Sequence, residues 1–401
     1  MLKRSFVLFL FLSAFSYNVK SQDTFYFEDN NFSSEQNIPF TQEVKDNIIR
    51  VAILLPFGVK EKTNPANLQP KMVEYYEGFL LALDDLKKMG LSIDVQVEDI
   101  GNDIQYLEPI LQADDLKDKN LIIGGFTEEQ IKLLSDFSVR HEISYLVPFA
   151  SKCYEVWENP FLFQINAPAG YLYAKVSQAF INKYKKYNII FLQENNADKA
   201  DFIQSLKDDL AIGDLYYHTI NYSDKFVSDL QSILAADKRN VIIPASGKEF
   251  LLKILSELAT LKQTSQYKLT LFGYPEWQTY DLGTLAGNLH DLNTTIYSNF
   301  YIKQNVPKTC DFYKKFLKWY SRPIANTYPK FSVWGFDTAM FFLQVINKYG
   351  ASFGININNF KYEGIQTNFY YQRVDYWGGF INANVFFVNF NDDFSITRET
   401  K

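Results

Sequence analysis

LIIGGFTEEQIKLLSDFSVRHEISYLVPFAS, residues 121–151, decides the fold. Leu121, Ile122 and Ile123 form the short apolar run of a strand buried on both faces. Gly124 and Gly125 permit a tight turn with bare backbone. Thr127 and Gln130 stand at the spacing of a capping box, which predicts a helix start in which each side chain satisfies a free backbone N–H. Ile131, Leu133, Leu134 and Phe137 supply its buried stripe. Tyr145, Leu146 and Val147 predict the next strand, which Pro148 ends. The whole reads as one βαβ unit of a parallel sheet. Its carboxyl edge carries two loops, 124–127 and 149–152, and open α/β sheets bind ligands at that edge.

The same alternation extends both ways from this unit. Upstream, 48–56 (IIRVAILLP) is a buried strand, and 71–88 is an amphipathic helix. Met72, Tyr76, Phe79, Leu80, Leu83 and Leu86 lie on one side of that helix, and Gly90 stops it. The loop between them, 58–70, holds Asn64, Pro65 and Asn67; such a length marks a functional or mobile loop. Ile93, Val95 and Val97 alternate as a less buried strand, and a short helix spans 107–113. Downstream, FLFQIN (161–166) is extended. Helices at 171–184, 200–210, 227–234 and 247–261 then alternate with strands at 189–192, 215–220, 241–243 and 269–272, a second parallel sheet. An extended return covers 293–300, and helices cover 311–320 and 334–349. Strands are predicted at 362–367 and 385–390, with Gly378 and Gly379 turning between them. The 401 residues exceed what one core usually holds, so the expected fold is α/β with two doubly wound lobes. A cleft between two such lobes is a common ligand site.

Lys3 and Arg4 precede an apolar run at 6–15, and Val19 and Ser21 stand as small residues before a cleavage point. Residues 1–21 therefore read as a secretory signal peptide, too short in its apolar run to span a bilayer. No cysteine lies near the cleavage point, so no lipid anchor is expected there. Residues 22–47 are polar and read as a linker or loosely attached arm. Cys153 and Cys310 are the two cysteines; export permits a disulfide, and two separate buried thiols are the simpler arrangement. The net charge of −6 gives a nucleic-acid partner no support.

Catalytic patterns are missing. His141, His218 and His290 have no metal-ligand partner at helical spacing. Neither Gly-x-Ser-x-Gly nor Gly-x-Gly-x-x-Gly occurs at a strand end. Ser246, Gly247 and Lys248 resemble the end of a P-loop, but Ile242 replaces its first glycine and Glu249 its Ser or Thr. The acidic pairs fall mostly on helix faces that need solvated charge, and Glu128 and Glu129 complement a helix dipole. No catalytic residue, cofactor or metal is expected.

The order IIRVAILLPF, helix, IIGGFTEEQ, PFASK, FQIN and a second α/β set, with GFDTAMFFLQVINKYG and YEGIQTNFYYQR…GGFIN following, resembles type I periplasmic solute-binding proteins of the branched-chain amino-acid receptor kind. It looks closest to a Bacteroidetes branch whose members often carry LysM modules; none is visible here, and 22–47 is too short to hold one. The resemblance covers about 48–390. It implies two lobes joined by a three-crossing hinge, with crossings near Asn166, Phe300 and Gly350. Lobe 1 is then 48–165 plus 301–350, and lobe 2 is 166–300 plus 351–401.

In such receptors hydroxyls and backbone amides of the first lobe hold a ligand carboxylate, and an acid of the second lobe holds its ammonium. Thr127 and Ser151 match the first role and Glu276 the second. Phe126, Phe149, Tyr171, Tyr274 and Trp277 would supply apolar walls. Two features depart from the pattern: Gln164 stands where many amino-acid receptors have Arg, and Glu128 and Glu129 flank the carboxylate position. The resemblance implies a non-enzymatic periplasmic protein that holds a small polar solute, an amino acid, short peptide or cell-wall fragment, for an inner-membrane permease. The alternative it carries is a protein-binding regulator of cell-wall synthesis with the same fold.

Overall fold

The computed structural model describes residues 39–59, 69–195 and 197–401. The expected signal peptide, the arm from 22 to 38 and the centre of the long loop (60–68) lie outside the described residues. The end of the arm, expected to be loosely attached, is docked. Thr41 N–H donates to Ala351 O at 3.1 Å, and Gln42 Nε2 donates to the carbonyls of Lys117 and His141 at 2.9 and 2.8 Å.

The first unit runs β1 (Ile48–Leu55), α1 (Pro70–Lys88), β2 (Ser92–Asp99), α2 (Glu108–Gln112), β3 (Leu121–Gly124), α3 (Glu128–His141), β4 (Ser144–Val147) and β5 (Leu162–Gln164). β1 shows why an uninterrupted apolar run makes a central strand. Val51, Ile53 and Leu55 enter the core on one face of the sheet, while Ala52 and Leu54 enter the core on the other. The capping box forms at α3: Gln130 N–H donates to Thr127 Oγ1 at 3.2 Å.

The second unit repeats the scheme with α4 (Ala169–Tyr184), β6 (Asn188–Gln193), α5 (Ala200–Ile212), β7 (Tyr217–Asn221), α6 (Phe226–Ile233), β8 (Arg239–Pro244), α7 (Lys248–Thr264), β9 (Lys268–Gly273), α8 (Ala286–Asp291) and β10 (Thr295–Ser298). The chain closes with α9 (Pro307–Tyr320), α10 (Phe331–Tyr349), α11 (Phe353–Asn356), β11 (Tyr371–Arg373), β12 (Phe380–Asn382), β13 (Phe386–Phe390) and β14 (Ile396–Thr400).

Two seven-stranded sheets result, ordered β11-β12-β5-β4-β3-β1-β2 and β14-β13-β10-β9-β8-β6-β7. Each contains five parallel strands in the doubly wound order 2-1-3-4-5, with its switch point beside the first strand of the unit.

The tail departs from expectation. Residues 351–382 do not join the second lobe. β12 pairs parallel to β5, and β11 pairs antiparallel to β12, so both belong to the first sheet. The third crossing thus falls at 383–385, past the β11–β12 hairpin, and not near Gly350. The predicted strand at 362–367 is a loop wound around a buried carboxylate. Asp337 accepts backbone N–H bonds from Ile365 (2.8 Å), Gln366 (2.8 Å) and Thr367 (3.1 Å) and the Tyr362 hydroxyl (3.0 Å). Amides spent on a side chain cannot join a ladder. Cys153 and Cys310 are both free thiols, the first buried.

Candidate functional site

The three crossings locate the junction between the lobes. The first leaves the carboxyl end of β5 and enters α4, which precedes β6 and so starts at the carboxyl edge of the second sheet. The second leaves the carboxyl end of β10 for α9. The third leaves the carboxyl end of β12, parallel to β5, and enters β13, whose antiparallel pairing puts its start beside the end of β10. All three hinge segments therefore join carboxyl edge to carboxyl edge, so those edges flank one hinge.

On the first edge stand the loops after β1, β3 and β4. Asp99, at the end of β2, organises the first of these. Its carboxylate accepts the N–H groups of Phe57 (2.9 Å), Val59 (2.6 Å) and Gly101 (3.1 Å). The loop after β3 carries Phe126, which is exposed, and Thr127, which is half-buried. Its backbone amides are already occupied: Gln130 Oε1 accepts Phe126 N–H at 3.1 Å and Thr127 N–H at 3.3 Å. The loop after β4 carries Phe149 and the exposed Ser151. Gln164, where an Arg is usual in amino-acid receptors, is fully buried and shapes this loop. Its Nε2 donates to the carbonyls of Ala150, Ser151 and Asn166 at 2.9–3.0 Å. Phe149 packs into an aromatic cluster with Tyr75 (centroids 4.9 Å apart) and Trp334 (5.4 Å).

On the second edge Glu276 follows β9 and is half-buried. It is not a free acid, because Lys199, in the loop after β6, forms an ion pair with it and lies 3.5 Å from Asp198. Burial pulls the Lys199 pKa down, but Glu276 and Asp198 outweigh burial and leave it above its ordinary value.

Five of the eight expected site residues thus stand on the two edges: Phe126, Thr127, Phe149, Ser151 and Glu276. The other three do not line a gap. Tyr171, Tyr274 and Trp277 are buried in the core. Tyr274 donates its hydroxyl proton to Pro244 O at 2.5 Å, and Trp277 lies against Gly273, where a Cβ would come within 2.2 Å of the indole. Large aromatic rings near a strand end fill the core of a lobe as readily as they line a cleft.

Three residues escaped the sequence reading. Lys199 has no sequence signal as the partner of Glu276. Gln130 was legible as a cap but not as the group that occupies the adjacent amides. Tyr328, in the loop between α9 and α10, reaches across to the second lobe. Its hydroxyl accepts from Gln278 Nε2 at 2.7 Å, shares a hydrogen bond with Ser298 Oγ at 2.9 Å, and donates to Phe300 O at 3.0 Å.

No protein-family model and no curated protein sequence matches the chain. Solved structures do match in fold. A putative branched-chain amino acid ABC transporter protein from Rhodospirillum rubrum aligns over 88% of this chain and 96% of its own, with TM-score 0.57 and 14% identity. A branched-chain amino acid transporter protein from Rhodopseudomonas palustris aligns over 88% and 95%, with TM-score 0.52 and 14% identity. An ABC transporter substrate-binding protein from Sphaerobacter thermophilus gives 88%, 98%, 0.51 and 14%. The chain therefore has the bilobed α/β fold of type I periplasmic binding proteins. Among the described residues no helix is long and apolar enough to cross a membrane, and no His, Cys, Asp and Glu cluster is placed to hold a metal.

Proposed function

We propose that this protein is a non-enzymatic, periplasmic solute-binding protein that holds a small polar ligand between the carboxyl edges of its two sheets and delivers it to an inner-membrane permease. The observation that carries this reading is the placement of all three chain crossings at those edges, which lets the lobes close on a ligand about one hinge. The fold neighbours, two described as branched-chain amino acid ABC transporters and one as an ABC transporter substrate-binding protein, support it. Ser151 and the Thr127 hydroxyl face the ligand from the first lobe, and the Lys199–Glu276 pair faces it from the second.

The geometry disfavours a free amino acid as the ligand. Its carboxylate would compete with Gln130 for the amides of Phe126 and Thr127, and its ammonium would compete with Lys199 for Glu276. A short peptide or cell-wall fragment, recognised through amide and hydroxyl groups, fits better. The same internal pairing favours, as a second reading, a regulator of cell-wall synthesis that binds another protein and transports nothing.

Thermal-shift screening with amino acids, di- and tripeptides and muropeptides separates these readings. A ligand at a hundredfold excess over its Kd adds about 2.7 kcal/mol of stability. A shift with peptides or muropeptides that Ser151→Ala removes is the expected result. No shift with any of the three classes would overturn the solute reading in favour of the regulator. A shift with free amino acids as large as with peptides would overturn the assignment of ligand class.

A further inference from the structure

At the end of the second lobe remote from the hinge lies a pocket of about 490 Å³. A stagger between two strands makes it. β9 begins at Lys268, but β10 pairs with it only at Phe272 and Gly273. The first residues of β9 therefore have no β10 neighbour, and the end of β13 and the start of β14 wall the notch that is left.

Four cations line this notch: Lys183, Arg239, Lys262 and Lys268. Among the described residues none of the four is ion-paired with a carboxylate. Lys183 Nζ, half-buried, donates to Asn389 Oδ1 at 2.5 Å and Thr295 Oγ1 at 3.0 Å, both neutral acceptors. Lys262 donates to the backbone carbonyl of Asp291, and Arg239 reaches the Tyr187 hydroxyl at 3.4 Å. Two acids share the lining, Asp392 and Glu399. Asp392 is exposed, and Glu399 is held by Lys401 at 2.6 Å and Asn389 at 2.9 Å. Burial draws the Lys183 pKa down to about 8, the mark of an ammonium whose surroundings do not repay its lost hydration. Some cations outside the notch are paired with acids, as Lys315 is with Asp84 and Asp85 and Arg322 with Glu74 and Glu77, while Lys175 of α4 has only a backbone carbonyl and a tyrosine ring. The notch differs in gathering four cations without a carboxylate partner around one space. Its cations converge on a space too large for a single water or halide.

We propose that this notch is a second binding site, separate from the gap between the lobes, for a small molecule carrying two or more oxyanion groups. Phosphate and carboxylate groups share the required chemistry: several acceptor oxygens and a charge that Lys183, Arg239, Lys262 and Lys268 together neutralise. The site goes beyond the solute-binding role and is independent of whichever ligand the gap takes.

Isothermal titration of the purified protein with inorganic pyrophosphate and with citrate, at fixed pH and ionic strength, tests it. One saturable site for at least one of the two is expected, and the relative affinities distinguish phosphate from carboxylate. The double variant Arg239→Gln, Lys268→Gln replaces two exposed side chains and so leaves folding intact; it should weaken binding at least about tenfold, since each lost charge-assisted contact is of that order. Lys132→Gln, on α3 of the first lobe, should change nothing. Absence of saturable binding by both probes, an unaltered affinity in the double variant, or an equal loss in Lys132→Gln would each overturn the proposal.

Discussion

Asp337 governs the tail of the first lobe through four hydrogen bonds. It is fully buried on α10, and the loop 362–367 folds around it. Burial pushes its carboxyl pKa up, while the N–H groups of Gln366, Ile365 and Thr367 and the nearby Lys308 pull it down. Gly364 belongs to the same arrangement: a Cβ there would lie 1.9 Å from Thr367 O and 2.9 Å from the Asp337 carboxylate. Asp337→Asn keeps the size but turns an NH₂ group toward backbone N–H donors. It should cost about 1–3 kcal/mol, the price of a buried donor left without an acceptor. Urea unfolding should show a lower midpoint with an unchanged slope; an unchanged midpoint would show that the loop holds without the carboxylate. Little of this was legible in the sequence. Asp337 lies inside a segment that carries the resemblance, but its partners lie 25–30 positions away, and no local period links a helix to a loop at that distance. The capping box at Thr127 and Gln130 was legible, because both partners lie within one turn.

Among the secondary elements, α1 and α10 pack with their backbones nearly touching. A Cβ on Gly78 of α1 would come within 1.7 Å of Ser332 O, and one on Gly335 of α10 within 1.9 Å of Tyr75 O. Two opposing effects can be weighed for Gly78→Ala. Alanine favours a helix over glycine by about 1 kcal/mol. The clash, however, is with a backbone carbonyl that cannot swing aside, and overpacking of this kind costs about 1–3 kcal/mol or more. The clash should win, and the melting temperature should fall. Gly170→Ala, in the first turn of α4 with open space around its Cβ, should be neutral or slightly stabilising. A Gly78→Ala protein that melts at or above the parent temperature would mean the helices separate freely.

The same helix shows what periodicity can deliver. An amphipathic helix was legible, yet its buried face is centred on Met72, Tyr75, Phe79, Ala82 and Leu86, with Tyr76, Leu80 and Leu83 at its margin. The long buried strands were legible as apolar runs. β11 and β12, three residues each, are too short to show a period that would correct the crossing near Gly350 that the resemblance implies.

For the whole molecule, the open question is what holds one lobe against the other. The described cross-lobe contacts gather at the hinge. Lys175 of α4 reaches the third crossing, donating to Ala383 O at 2.8 Å while its ammonium lies 4.4 Å from the Tyr370 ring. Arg398 of β14 reaches first-lobe residues, donating to Gly364 O and Ile365 O at 3.2 and 3.3 Å. Tyr328 differs from these in one respect: it projects from a first-lobe loop onto Gln278, in the turn that also carries Glu276. Its hydroxyl therefore couples the hinge to the proposed ligand edge. Tyr328→Phe removes the hydroxyl and keeps the ring, which packs against Phe300. One net hydrogen bond is worth about 1 kcal/mol, so the ratio of separated to apposed lobes should rise about fivefold. Small-angle scattering of the ligand-free variant should then give a larger radius of gyration than the parent. Saturating ligand should bring the two proteins together, because a ligand that contacts both edges favours the apposed form. Identical scattering without ligand would mean that Tyr328 only fills space at the hinge. A difference that survives saturation would mean that the ligand does not engage both lobes.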